Sequence, residues 1–203
     1  MTAPLVSVVY GDEGEVSGLR MCVGATPFDE VLPKWIAREP KVTADTMVNA
    51  NSSWKAVLEG TPALTIFREA HPNATPVTFF YDTFYGAMFD AAPELQQLFQ
   101  GGMVAKSRAL VAMMARLTSL TEVSEGQTFH SEVLPALHAI ADRHLEYGIL
   151  CHHYGIMGQA LLNALETCMG PELWNGDVHI AWLNLLSLTL LVMIPRAAQT
   201  QAG

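Results

Sequence analysis

The segment from Tyr154 to Met169 repeats apolar side chains three and four residues apart, and this spacing constrains the fold of the chain strongly. In an α-helix such residues share one face, so the segment predicts a long helix with one buried side. The same spacing returns in several other segments, whereas a sustained two-residue alternation typical of strands does not. The pattern therefore predicts an all-α fold.

Helix caps and breakers divide the first half of the chain. Thr43 or Asp45 can cap a helix that ends at Gly60, because a hydroxyl or carboxylate satisfies free amides and glycine favours termination. Residues 61–74 read as a connection with a short helical turn. The threonine–proline pair at 75–76 predicts the next helix, with a capping hydroxyl followed by proline at the first helical position.

Similar signals divide the second half. Pro93 opens a short helical turn, and the paired glycines at 101–102 separate it from the next helix. The polar segment 121–128 reads as a loop. Ser131 can then cap a helix that Gly148 terminates.

The last predicted helix spans about residues 177–194, after a break at 170–171, and it is apolar on nearly every side. A helix that is hydrophobic all round requires burial all round, so we expect one face in the core and another in a homodimer interface. Its most apolar part, 183–194, is shorter than the roughly 20 residues that cross a bilayer, so no membrane insertion is expected. The predicted homodimer interface uses the last two helices, because Leu183, Leu186 and Leu190 leave more apolar surface than one core face needs.

The bulk composition suits one domain with an extension. The chain has 203 residues, of which 50% are hydrophobic, and its formal net charge is −9. Such a chain can bury a core large enough to enclose a cofactor. No nucleic-acid partner is expected, because binding a phosphate backbone requires clustered lysine and arginine, and no basic run occurs.

We divide the chain into an irregular N-terminal extension, residues 1–40, and a helical domain, residues 41–203. Prolines interrupt any long helix in the extension, where residues 5–10 form a short β-like run. The N-terminus lacks the basic flank and apolar run of a signal peptide. The three cysteines lack the spacing of a disulfide framework, so we expect a reducing compartment and a cytoplasmic protein.

His144 is the first candidate for chemistry, because it lies on the apolar face of a predicted helix. On pattern alone it is either a buried, hydrogen-bonded histidine or a metal ligand. The sequence contains no HExxH pair, zinc-type cysteine spacing, GxGxxG loop or GxSxG elbow. The residue has to be judged together with the motifs around it.

Taken together, these motifs resemble the globin family, especially single-domain bacterial globins and the haem domains of flavohaemoglobins. The resemblance covers about residues 41–196 and follows the family's order of helices. It rests on the string Phe84-Tyr85-x3-Phe89-x3-Pro93-x5-Phe99, on the run from His144 through Gly148-Ile149 and His153-Tyr154 to Gly158-Gln159, and on the pairs Ser53-Trp54 and Ala181-Trp182.

The resemblance implies a globin fold, a 3-over-3 helical sandwich, that holds haem b through His144 as the proximal iron ligand. It implies that Tyr85 is the distal hydrogen-bond donor, the residue with a catalytic role. The other predicted cofactor-binding residues are Phe99, Lys106, Leu110, Ile149 and Tyr154.

The sequence departs from the family pattern at three places. Lys106 occupies the position of the usual distal histidine or glutamine; its ammonium can stay in water or pair with a haem propionate, or it can lose its proton and coordinate iron. Residues 192–197 lack the carboxylate that flavohaemoglobins pair with the proximal tyrosine, which argues against a strong peroxidase-like electron push. The connection at 61–74 is an insertion.

The implied function is reversible binding of O2 and other diatomic gases, NO and CO among them, as in oxygen transport. The resemblance also allows nitric oxide dioxygenation, which converts nitric oxide and O2 to nitrate and needs an external electron donor or reductase. Two alternatives stay open: a haem-based gas or redox sensor that acts through a partner surface, and a haem-free structural or regulatory globin.

Overall fold

The computed structural model describes residues 6–10, 16–21, 32–99, 102–119 and 133–201. Two expectations, the loop at 121–128 and the cap at Ser131, lie outside these ranges. Two strands lie in the N-terminal extension, β1 (Val6–Tyr10) and β2 (Val16–Met21), which pair antiparallel with a register shift between Val9 and Tyr10. The β-like run expected at residues 5–10 is therefore a strand of a hairpin.

From residue 44 onwards the described chain is mostly helical, as the apolar spacing predicts. The helices are α1 (Ala44–Glu59), α2 (Pro62–Ala70), α3 (Pro76–Ala91), α4 (Leu95–Leu98), α5 (Met103–Thr118), α6 (Leu134–Glu146), α7 (Cys151–Leu173) and α8 (Gly176–Gln201). Helix α7 is broken at Gly170, whose φ of 69° and ψ of 175° leave the helical region just before Pro171. This break confirms the predicted end of the most regular helix.

The predicted caps hold two helices at their N-termini. The Thr43 hydroxyl accepts from the Thr46 amide at 3.2 Å, and Thr75 forms a reciprocal capping box with Thr78. The short turn expected within residues 61–74 is wrong in length, because α2 has nine residues. Long-range contacts stabilise it: the ring of Phe67 stacks on Phe79 of α3 with centroids 4.4 Å apart.

Six of the helices, α1, α3, α5, α6, α7 and α8, are joined by pairwise contacts. The largest interfaces join α3 to α7, α1 to α8, α6 to α8 and α7 to α8. The two tryptophan motifs meet at the α1–α8 interface, where the indole Nε1 of Trp182 donates to the Ser53 hydroxyl at 3.0 Å. Trp54 packs edge-on against Phe80, with centroids 4.9 Å apart.

Helix α8 is longer than predicted, and it carries a segment, Gly176–Ala198, that is long and apolar enough by composition to cross a bilayer. In the structure 78% of its most apolar window is buried within the protein. The prediction that the apolar stretch covers only residues 183–194, too few to cross a bilayer, is therefore wrong. Burial in the core accounts for its hydrophobic character.

The apolar surface on which the homodimer was predicted is largely covered within the chain. Leu186 and Leu190 are buried and Leu183 is half-buried, so the argument from exposed leucines is wrong. The segment before α1 lies over this helix. The Ala37 amide donates to the Ser187 hydroxyl at 2.9 Å, and the Lys41 amide donates to the side-chain oxygen Oδ1 of Asn184 at 2.8 Å. The homodimer itself stays a prediction, and so does the domain boundary at residue 41.

Candidate functional site

The predicted site residues lie on or beside helices α3 to α7. Helix α5 packs chiefly on α1 and α6 chiefly on α8, so these two helices share no major interface among the described residues. Phe99, Lys106 and Leu110 lie on the α4–α5 side, and His144 lies on α6. The two sides approach at the turn after α6, because a Cβ built on Gly148 would lie 3.5 Å from the side chain of Leu98.

The turn after α6 fixes the backbone of His144. Gly148 has a φ of 83°, a conformation that favours glycine, and its amide donates to the Leu145 carbonyl at 2.9 Å. The Ile149 amide donates to the His144 carbonyl at 2.9 Å, which completes a Schellman motif. Ile149 is buried. A local sequence signal, glycine followed by an apolar residue, therefore positions the candidate ligand.

The side chain of His144 has the properties of a metal-binding imidazole. Its Nδ1 is buried and has no hydrogen-bond partner, an arrangement that is rare in folded proteins and indicates a missing partner. Burial, helped by the positive charge of Arg143, lowers the pKa of His144 to about 4. The ring is therefore neutral near pH 7 and can offer a lone pair to a metal, so the donor fits a haem iron.

The lowered pKa of His144 predicts a pH-dependent stability of the haem-free protein. Because the folded-state pKa of about 4 lies below the ordinary value of 6.5, unfolding takes up a proton between these two pH values. The free energy of unfolding should fall as the pH drops from 6.5 to 4, with a slope from this residue on the order of 1 kcal/mol per pH unit. Urea unfolding at several pH values measures it.

A matched variant isolates this contribution from that of the other histidines. In His144→Leu the apolar side chain cannot take up a proton, so the free energy of unfolding should fall less steeply over the same pH window. Parallel curves for the wild-type and variant proteins would show that burial does not hold this imidazole neutral.

Tyr154 lies on the proximal side and packs against His144, with ring centroids 5.8 Å apart. It is buried, and its hydroxyl donates to the Ala141 carbonyl of α6 at 3.4 Å. Burial raises its pKa, with smaller contributions from Cys151 and Asp142. The hydroxyl therefore turns to the backbone of the helix that carries His144, in keeping with the absence of a carboxylate at residues 192–197.

Helix α8 reaches the proximal helix through an arginine instead, which the sequence analysis missed. Arg196 pairs with Asp142 in a bidentate contact, with Nε–Oδ1 and Nη2–Oδ2 distances of 2.8 and 3.0 Å. The Arg196 hydrogen bond holds the pKa of Asp142 below its ordinary value. The pair ties α6 to α8 two residues before His144. The sequence signal was a lone arginine in an otherwise apolar helix.

Tyr85 lies at the centre of an aromatic cluster on the distal side. Its ring is buried and lies 5.4 Å from the ring of Phe99 and 5.8 Å from that of Phe89, measured between centroids. Burial raises the pKa of Tyr85, and the hydroxyl of Ser107 on α5 partly opposes this. The Tyr85 phenol is therefore protonated near neutral pH and can donate a hydrogen bond.

Ser107 is a second polar group on the distal side that the sequence analysis missed. It is buried, and its Oγ makes no hydrogen bond of good geometry, although it lies close enough to affect the pKa of Tyr85. A serine within a helix gives no sequence signal of such a role, because serines also occur on exposed helix faces. The structure brings Tyr85 and Ser107 together from α3 and α5.

Lys106 folds back onto the end of α4. Its ammonium Nζ donates to the Leu98 carbonyl at 2.8 Å and lies 4.9 Å above the ring of Phe99, a cation–π geometry. Leu110 is partly buried and packs against the core. Both roles considered for Lys106, a propionate contact and an iron ligand, stay predictions.

Comparison with known proteins identifies the family to which the chain is similar. A sequence model of the family described as Globin matches residues 82–193. The flavohemoprotein of Bordetella parapertussis is 31% identical over 99 residues, which are 49% of this chain and 24% of that protein. The flavohemoprotein of Chromobacterium violaceum is 31% identical over 106 residues, 52% of this chain and 25% of that protein. The chain thus spans about a quarter of the length of these curated relatives.

Proposed function

This chain belongs to the globin family, and from that premise we propose that it binds haem through His144 and takes up diatomic gases. When bound, the haem supplies an iron that binds O2, NO and CO reversibly. The observation that supports this proposal is the buried, neutral His144 ring, whose Nδ1 has no protein partner. The sequence contains no Cys-x-x-Cys-His motif for covalent attachment, so haem b is the form we propose.

The Tyr85 phenol is the group we propose to stabilise bound O2. It is protonated and buried among aromatic rings, so a hydrogen bond from it acts in surroundings of low dielectric constant. The nearby Ser107 hydroxyl can donate to the phenol oxygen, which leaves the phenol proton for the ligand. The two hydroxyls would then form a short chain in which each bond strengthens the next.

Replacing Tyr85 with phenylalanine should make O2 dissociate about 10- to 100-fold faster, because a hydrogen bond with ionic character contributes roughly 1.5–3 kcal/mol. The Ser107→Ala variant should accelerate dissociation in the same direction but less. Stopped-flow displacement of O2 by CO measures the rate constants. The matched control is Tyr81→Phe, which removes a hydroxyl one helical turn earlier on α3.

The controls decide whether the effect is specific to the phenol. Equal rates of O2 dissociation in Tyr85→Phe and wild-type protein would contradict the proposed role of Tyr85. An equally large acceleration in Tyr81→Phe would assign the effect to a general disturbance of α3.

The activity we propose is nitric oxide dioxygenation, in which nitric oxide and O2 combine to form nitrate. Its support is the similarity to proteins named flavohemoproteins together with a protonated distal phenol that can hold O2 in place. Sustained turnover needs electrons, and we propose that a reductase outside the globin domain supplies them. The matched segment is about a quarter of those relatives, so their other properties are not transferred to this chain.

A rapid-mixing experiment tests the proposed activity. Oxygen-loaded protein is mixed with one equivalent of nitric oxide, and nitrate is measured by ion chromatography. We expect one nitrate per haem. At low O2 the wild-type protein should give a higher nitrate yield than Tyr85→Phe, because it loses bound O2 more slowly. Recovery of intact nitric oxide without nitrate would reject the activity, while gas binding would stand on its own.

A further inference from the structure

A cluster of three metal-binding side chains lies where α4 meets the beginning of α7. The cluster contains Glu94, His152 and His153, and one potential ligand atom from each lies within 4.8 Å of the others. None of the three is among the predicted haem-site residues. We propose that this cluster binds a zinc ion, and that the ion ties α4 to α7.

His153 is the fixed member of the cluster. Its side chain is 6% exposed, and its Nδ1 accepts a hydrogen bond from the Leu150 amide at 3.0 Å. Before an ion binds, this bond orients the ring so that Nε2 lies 4.0 Å from the Oε1 of Glu94. The buried imidazole therefore presents one nitrogen towards the carboxylate of a separate element.

The other two members can adjust to an ion. The side chain of Glu94 is 60% exposed, while the next residue, Leu95, is fully buried and anchors α4. His152 is exposed, and its ring lies edge-on to that of His153 with centroids 4.0 Å apart. One fixed ligand and two mobile ligands on anchored backbones can close around a small cation.

Two imidazole nitrogens and one carboxylate are a ligand set that zinc accepts. Zinc bonds of about 2.0–2.2 Å in a tetrahedron bring ligand atoms to roughly 3.3–3.6 Å of one another, so the cluster has to contract slightly. Rotation of the exposed Glu94 and His152 side chains is sufficient for this contraction. The fourth position is left for water, as in zinc sites with three protein ligands.

Zinc binding also has a defined proton balance. While Nδ1 of His153 accepts from the Leu150 amide, the proton of the neutral ring is on Nε2, the nitrogen that faces Glu94. When zinc binds Nε2, this proton passes to Nδ1 through solvent, so the ring stays neutral and no net proton is released. Nδ1 then no longer accepts from the Leu150 amide, and burial of the ring holds it in place. Leu150 is 42% exposed, and the one hydrogen bond is exchanged for three ligand bonds.

Isothermal titration of the untagged full-length chain with Zn²⁺ tests the proposal. We expect one equivalent to bind, and we expect His152→Ala and Glu94→Gln each to weaken the dissociation constant at least tenfold. Both substitutions are at exposed side chains, so the fold is retained, which circular dichroism checks. The matched control is His179→Ala, an exposed histidine at the beginning of α8, which should leave zinc affinity unchanged.

X-ray absorption at the zinc edge reports the ligands independently of the haem iron. We expect two imidazoles in the zinc shell of the wild-type protein and one in His152→Ala. Wild-type affinity in both His152→Ala and Glu94→Gln would overturn the site. A loss in His179→Ala equal to that in His152→Ala would also overturn it, by showing scattered surface binding.

Discussion

Replacing His144 with glycine should lower the affinity for haem at least a hundredfold and abolish the Soret band at stoichiometric haem. His144 is the residue of the proximal cluster with a buried nitrogen that has no protein partner. Loss of a metal ligand would remove the iron–nitrogen bond, whereas the apolar contacts that we propose for Ile149 and Leu110 would be retained. Titration of the haem-free variant with hemin, followed by absorbance, measures the loss.

Added imidazole should restore the spectrum of this variant, because glycine leaves a space of the shape of the missing ring. The matched control is His138→Ala, at a half-buried histidine on the same helix whose pKa is lowered by burial and by Arg196. It should bind haem as the wild-type protein does. An unchanged Soret band in His144→Gly without imidazole would remove His144 as the iron ligand.

The positions of the helices could be predicted largely because their signals are local. Thr43 and Thr75 cap through hydroxyls that reach amides three residues away, and Gly148 ends α6 because its φ of 83° suits glycine. These interactions are complete within one helical turn. A short stretch of sequence, one helical turn long, is therefore enough to predict where these helices begin or end.

The missed features depend on residues far apart in the chain. Residues 37 and 41 each form a hydrogen bond with α8. The partners of these two bonds are at least 143 residues apart in the sequence, and no periodicity indicates them. For that reason Leu186 and Leu190 were assigned to a dimer interface. The contact between Arg196 and Asp142 and the approach of Ser107 to Tyr85 likewise form only when helices pack.

The residues of the predicted site show the same difference between local signals and contacts that form only on packing. The resemblance placed His144, Tyr154 and Ile149 on the proximal side, where the structure brings His144 and Tyr154 into ring contact. On the distal side it placed Lys106 by counting along a helix, which gives a position but not a rotamer. The contact of its ammonium with the Leu98 carbonyl depends on where α4 ends relative to α5.

Replacing Trp182 with alanine should lower the free energy of unfolding by about 3–5 kcal/mol, the range for removing a large aromatic side chain from a core. Trp182 is fully buried and joins α8 to α1 through its bond to Ser53. Urea unfolding of the haem-free protein at pH 7 measures the change without a contribution from haem binding. The control is Trp174→Ala, a partly buried tryptophan stacked on His179, which should have a smaller effect.

A second substitution, Ser53→Ala, distinguishes the contribution of packing from that of the hydrogen bond to the free energy of unfolding. Ser53 donates to the Asn49 carbonyl at 2.6 Å and accepts from the Trp182 indole, so Ser53→Ala leaves a buried indole N–H unpaired at a cost of about 1–3 kcal/mol. In Trp182→Ala that N–H is already gone, so the added cost of Ser53→Ala should be smaller. Equal costs of Ser53→Ala in the two backgrounds would mean that the α1–α8 contact relies on packing alone and that this hydrogen bond contributes nothing.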